Sequence, residues 1–170
     1  MLTFHQATRL ASRRPTTTEE AQYSLPFPVA AALVHGQLGL AQLSGAGLGD
    51  PDVLRFSDQI ELVDDPALSA RFPAERIARV RIETAAGKIL DSGETAAPWD
   101  AATPPTDEEL IAKFRWVAGE SLTAARVEEL IDLIWNCADL ADAGTLVASL
   151  ASSSGASVPG IPGPAVPGGG

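Results

Sequence analysis

Ala21 to Gly36, AQYSLPFPVAAALVHG, constrains this chain more than any other stretch. Threonines and acids precede it (Thr16, Thr17, Thr18, Glu19, Glu20), a turn-forming lead-in. Pro26 and Pro28 lack an amide donor and have a fixed φ, so they fit a first helical turn or the extended run before it. Val29-Ala-Ala-Ala-Leu-Val then predicts a helix from about Phe27 whose small side chains allow close backbone approach. Gly36 is its expected stop. A tightly buried helix follows from this composition, with its N-terminal end facing a partner or ligand.

The remaining elements alternate in kind. Leu2 to Leu10 reads as a short strand end and a loop. Gln37 to Gly49 carries Leu38, Leu40, Leu43 and Leu48 among glycines, an irregular apolar connector or short helix. Asp50-Pro51 is an N-cap with proline at the first helical position, starting a helix through Phe56. Gln59–Val63 alternates apolar and polar residues as a strand does, Arg76–Thr84 repeats this with Ile77, Val80 and Ile82 at an irregular early spacing, and Ala85-Ala-Gly-Lys88 turns the chain into a third strand, Ile89–Thr95. Thr106 with Glu109 is a capping box, followed by an apolar face of Leu110, Ile111, Phe114, Val117 and Ala118. A second helix carries Val127, Leu130, Ile131, Ile134 and Trp135. Hairpin order excludes a doubly wound sheet and predicts an α+β fold: a two-layer sandwich of an antiparallel sheet and helices. Residues 1–150 are expected to form this domain and residues 151–170 a disordered Ser/Gly/Pro-rich tail, since Ser152–Gly170 offers no large apolar face to offset the entropy of ordering.

Charge and residue usage exclude several functions. A net charge of −10 leaves no basic cluster for phosphates, so no nucleic-acid partner is expected. No run of about 18 apolar residues or signal-peptide pattern occurs, which predicts a cytoplasmic protein with no membrane partner. Cys137 follows a helical pattern among apolar residues, so a buried, inert thiol is expected. His5 and His35 match no metal-ligand spacing, and no metal site is expected. His35 suits a role at a helix C-terminus. The pairs Glu19-Glu20 and Asp64-Asp65 read as solvated loop or helix-start residues. No P-loop, nucleophile elbow or dinucleotide fingerprint is present.

The first stretch also resembles the "AQFSLPY-VA-AL-DG" helix of the MmgE/PrpD C-terminal domain. The order of later pieces is similar: Asp50-Pro51-Asp52-Val53, Phe72-Pro73, Ala85-Ala86-Gly87-Lys88, Thr106 to Phe114, and Val127 to Asn136. The resemblance covers Leu2 to Leu150 and implies the lid domain of a 2-methylcitrate dehydratase- or cis-aconitate decarboxylase-like lyase. Its substrate would be a di- or tricarboxylic acid, deprotonated α to a carboxylate, with no metal or organic cofactor and a homodimer as the assembly. Family members carry most catalytic residues in a preceding helical domain, which is the implied partner. The lysine-aromatic-proline motif of that domain has no counterpart here, so the chain is expected to be a fragment or split subunit, inactive alone. The resemblance implies no catalytic residue here but makes Tyr23, Ser24 and Phe27 the substrate-pocket candidates. Several members place a tyrosine at the position of Phe27, which has no proton to give. The alternative is a non-catalytic α+β binding or dimerisation domain.

Overall fold

The structure, a computed structural model, describes residues 1–151. They form two compact units, residues 1–104 and residues from 105 onward. The expected tail lies outside the described residues, apart from Ala151, which closes the last helix.

The first unit begins with β1 (Leu2–Thr3), α1 (His5–Thr8), α2 (Thr18–Gln22) and α3 (Pro26–His35). Next come α4 (Leu40–Leu43), a 3-10 turn (Gly45–Gly49), α5 (Pro51–Gln59), β2 (Val63–Asp64) and α6 (Pro66–Arg71). Four short strands follow: β3 (Ile77–Arg79), β4 (Arg81–Glu83), β5 (Ile89–Asp91) and β6 (Thr95–Ala96).

α3 forms where the sequence placed it, with prolines in its first turn and Gly36 at φ +70° as the left-handed stop. Its small residues meet α5: Ala21, Phe27, Ala30, Ala31 and Val53 make a fully buried cluster. Leu38, Leu43 and Leu48 pack against this cluster from the glycine-rich connector, whereas Leu40 is exposed. Asp50 caps α5, its Oδ1 accepting the amides of Asp52 (2.9 Å) and Val53 (3.2 Å).

The sheet departs from the expected one in three ways. Strand order is β2-β1-β3-β6, and β1 pairs with β2 in parallel, so the sheet is mixed. The expected strand Gln59–Val63 shrinks to Val63–Asp64, because α5 runs three residues beyond Phe56 to Gln59. Ile60 then sends its amide back to Ser57 O (3.2 Å), accepts Arg13 at its own carbonyl (2.9 Å), and packs on the helical core. Its alternation with Leu62 therefore reflects burial in a connector. Third, Arg76–Thr84 breaks at Val80 into two strands with different partners. Before the break, β3 pairs antiparallel with β1 and β6. After it, β4 pairs only with β5. Gly87, at φ +75°, turns this hairpin as expected.

Asp91 ties the two sheets. Arg79 donates from Nε to Oδ1 (2.8 Å) and from Nη2 to Oδ2 (2.7 Å), and the Gly93 amide donates to Oδ1 (2.9 Å). The guanidinium of Arg79, then the Gly93 amide, holds the carboxyl at about 2 against an ordinary 3.8. A folded-state value below the unfolded one means stability is gained when the group is ionised. That contribution is complete above 3.8 and lost as pH falls toward 2. Urea midpoints should therefore drop over this acidic window, and Asp91→Asn should flatten the drop while lowering the midpoint at neutral pH. An unchanged slope in the variant would show that the pair contributes nothing.

The second unit holds α7 (Asp107–Ala118), α8 (Ala124–Trp135), a 3-10 turn (Cys137–Asp139) and α9 (Gly144–Ala151). The capping box forms: the Glu109 amide donates to Thr106 Oγ1 (3.2 Å) and the Thr106 amide to Glu109 Oε2 (2.8 Å). Arg115 of α7 makes a two-pronged pair with Glu128 of α8, both contacts at 2.7 Å. Val127, Leu130 and Ile131 are buried. On α7 the inward stripe is narrower than expected, since Ile111, Phe114 and Ala118 are half-buried while Leu110 and Val117 are exposed. Cys137 corrects an expectation, for it is exposed. α8 stops at Trp135, so the residue beyond Asn136 no longer follows the buried stripe.

Candidate functional site

The three pocket candidates lie at the α2–α3 corner and point to different surroundings. Tyr23 is 74% exposed at the end of α2. Ser24 is buried, its hydroxyl donating to Ser12 O and accepting the Phe27 amide (3.2 Å). Phe27 is fully buried within the α3–α5 core. The hydroxyl of Ser24 thus caps α3, and the ring of Phe27 anchors it.

The N-terminal end of α3, expected to face a partner or ligand, offers no amide cradle for an anion. Pro26 and Pro28 have no N–H, and the Phe27 amide is taken by Ser24. The Leu25 amide donates to Leu10 O (2.9 Å) and that of Val29 to Leu25 O (3.3 Å). An anion near this corner would meet the helix dipole and the phenol of Tyr23, with no free backbone donor from Leu25 to Val29.

Both histidines find an aspartate. At the end of α3, His35 Nε2 lies 3.0 Å from Asp50 Oδ2, which joins the α3 C-terminus to the α5 N-cap as the helix-end role predicts. Backbone donation from Val53, with help from Asp52 and His35, keeps the Asp50 carboxyl below its usual range. Elsewhere His5 Nδ1 lies 3.0 Å from Asp64 Oδ2, Ser69 donates to Asp64 Oδ1 (2.6 Å), and the His5 amide donates to Ser69 Oγ (2.8 Å). Sequence gave no signal for this cluster, whose members are 59 and 64 positions apart. Its order rules out nucleophilic relay. The serine proton goes to the aspartate, so the imidazole does not activate the hydroxyl. Of the acid pair, Asp64 orients His5, and Asp65 caps α6 through the amides of Ala67 (2.8 Å) and Leu68 (3.3 Å).

Two of the clefts in the first unit share Met1 and Val80 in their walls. One of about 550 Å³ is apolar, walled by Phe4, Leu10, Leu25, Ile77 and Pro98 with Arg76 at its side. The other, about 400 Å³, runs between α3, α5 and β4 and brings Arg81 near Glu61 and Glu83. Each contains one arginine, short of the cationic convergence that a tricarboxylate needs. Among the described residues no group of three His, Cys, Asp or Glu is placed to hold a metal ion. No helix among them is long and apolar enough to cross a membrane.

The described residues thus form an α+β fold whose first unit is built round a capped, proline-started helix. The family model of the MmgE/PrpD C-terminal domain matches residues 1–137, and the chain belongs to that family. The match spans the whole first unit and the second as far as Cys137. No individual curated protein matches the chain.

Proposed function

We propose that this chain is the lid domain of a MmgE/PrpD-type lyase acting on di- or tricarboxylic acids, in the manner of 2-methylcitrate dehydratase. The family match over residues 1–137 carries the reading. In it, a helical domain supplies the base, the acid and most of the substrate contacts, and this domain closes over the cleft. Tyr23, exposed beside the start of α3, is the candidate that reaches a bound acid. Ser24 and Phe27 hold the start of α3, beside which Tyr23 stands. The chemistry is proton abstraction α to a carboxylate, carried out in the cytoplasm. A second reading, a binding or dimerisation domain without catalysis, is favoured by the scattered placement of the histidines and arginines.

The test is to assay the full chain on 2-methylcitrate, cis-aconitate and related acids, alone and with the helical domain of a family member supplied in trans. Turnover should stay at background for the chain alone, because loss of even one of several cooperating groups costs orders of magnitude in rate. Product should form only in the mixture, and Tyr23→Ala should raise KM there. Turnover by the chain alone would overturn the lid reading. Failure of every mixture, with no binding of any acid, would leave the second reading in its place.

A further inference from the structure

The apolar cleft of about 550 Å³ lies wholly within the first unit, lined by strands β1, β3 and β6, by α1, and by Leu10 and Leu25. Its walls are tied to one another. Phe4 stacks on Phe72 with ring centroids 4.6 Å apart, the Leu25 amide donates to Leu10 O (2.9 Å), and Thr3 Oγ1 donates to Ile77 O (3.2 Å). The Ser92 hydroxyl is spent as well, donating to Gly93 O (2.7 Å) and accepting the Val80 amide (3.0 Å). Two polar side chains of the lining have no hydrogen-bond partner among the described residues, Arg76 and Thr95. Arg76 meets Asp100 only at 3.6 Å, too long for a hydrogen bond, and both side chains are more than half exposed. Beyond Pro98 the chain reaches Trp99 at φ +69°, a conformation that a bulky residue holds only under strain and that clusters at binding sites. Trp99 and Arg76 together line a further cleft of about 430 Å³.

We infer that the 550 Å³ cleft binds a small amphipathic monocarboxylate, its hydrocarbon chain against Phe4, Ala7, Leu10, Leu25, Ile77 and Pro98 and its carboxylate on Arg76. Ligand pockets run from about 300 to 1,000 Å³ and join a mostly apolar wall to a few placed polar groups, which is the make-up here. Charge decides the head group. Arg76 is the one charged side chain in the lining, so this wall is cationic although the whole chain carries −10. A single guanidinium matches a single carboxylate in a two-pronged pair, and Thr95 supplies a hydroxyl donor in the same lining. A di- or tricarboxylate would set its remaining charges against apolar walls, unpaired and short of water. An alcohol forfeits the charge-assisted bonds, and an amine is repelled. Asp100 is the competitor for Arg76, and an exposed pair at that distance is readily given up. None of these residues takes part in the lid reading, so the two stand or fall separately.

Isothermal titration calorimetry of the full chain tests it, with butyrate, hexanoate and octanoate against octanol and octylamine. Octanoate should bind saturably below its micellar range, and each methylene gained along the series should tighten binding about two- to fourfold. Octanol and octylamine should bind at least about tenfold more weakly, since neither brings a carboxylate to Arg76. Arg76→Gln should erase the preference for octanoate over octanol. Asp100→Asn removes the competing carboxylate and should tighten octanoate about two- to fivefold. Leu10 lines this cleft and not the one beside Trp99, so Leu10→Asp locates the chain and should weaken octanoate at least about tenfold. All three positions are exposed, and melts followed by circular dichroism check that each variant keeps its fold. Octanoate that fails to bind saturably, or binds no better than octanol, would overturn the inference. So would Arg76→Gln or Leu10→Asp proteins that bind octanoate as the wild type does.

Discussion

Replacing Phe27 with alanine should remove about 3–5 kcal/mol of stability, the usual cost of emptying a fully buried aromatic site. Phe27 is fully buried and packs with Ala21, Ala30, Ala31 and Val53. Its alanine neighbours have no longer side chains to swing into the space, so the cavity can close only by moving α3 toward α5. Natural domains hold only about 5–15 kcal/mol in total, so one substitution should consume a large share of the margin. Tyr23→Ala, four residues earlier at a 74% exposed site, should stay within about 0.5 kcal/mol. Urea unfolding of the two variants measures the contrast. Equal losses would mean that the α2–α3 corner is not built as described.

The same position carries a sharper question. Several relatives by resemblance place a tyrosine hydroxyl where this chain has Phe27. Phe27→Tyr should destabilise by about 1–3 kcal/mol if the new hydroxyl is buried without a partner. Wild-type stability in that variant would show that the ring edge reaches water or an acceptor, and that the position faces a site as well as the core.

How much of this was readable depended on the range of the interactions involved. Helix starts are local, and three were legible: Pro26, the Asp50-Pro51 cap and the Thr106–Glu109 box form as their side chains dictate, whereas α1 and α2 form where a loop and a turn were expected. Gly36 and Gly87 adopt the positive φ that their places as helix stop and hairpin turn require. Strand partners are non-local, and there the pattern misled. The spacing of Ile77, Val80 and Ile82 was irregular because Val80 is where the chain leaves one sheet and joins another. A parallel pairing of Leu2–Thr3 with Val63–Asp64 leaves no mark in either short segment. The candidate site suffered most. Tyr23, Ser24 and Phe27 were chosen for their place at one helix end, but the three side chains meet water, a loop carbonyl and the core respectively. The two His–Asp pairs join residues 15 and 59 positions apart, for which no spacing rule exists.

Gly47→Ala should cost about 1–3 kcal/mol through overpacking, although nothing in the sequence distinguishes Gly47 from its neighbours. The connector folds back so tightly that a Cβ at Gly47 would lie 2.1 Å from Ala41 O and 2.9 Å from both Gln42 Cα and Gln42 O. These are backbone atoms and cannot rotate away, so α4 and the 3-10 turn would have to separate. Leu43 and Leu48 flank this contact and pack on the α3–α5 cluster, so the displacement should spread to the core. Gly36→Ala supplies the comparison. It has open space around its Cβ position but sits at φ +70°, so its cost of roughly 1–2 kcal/mol should come from backbone strain alone. Gly36→Asn should recover part of that loss, since asparagine tolerates the left-handed region. No side chain should rescue position 47. A Gly47→Ala protein with the wild-type melting temperature would mean that the connector is loose, and that Leu43 and Leu48 do not hold it against the core.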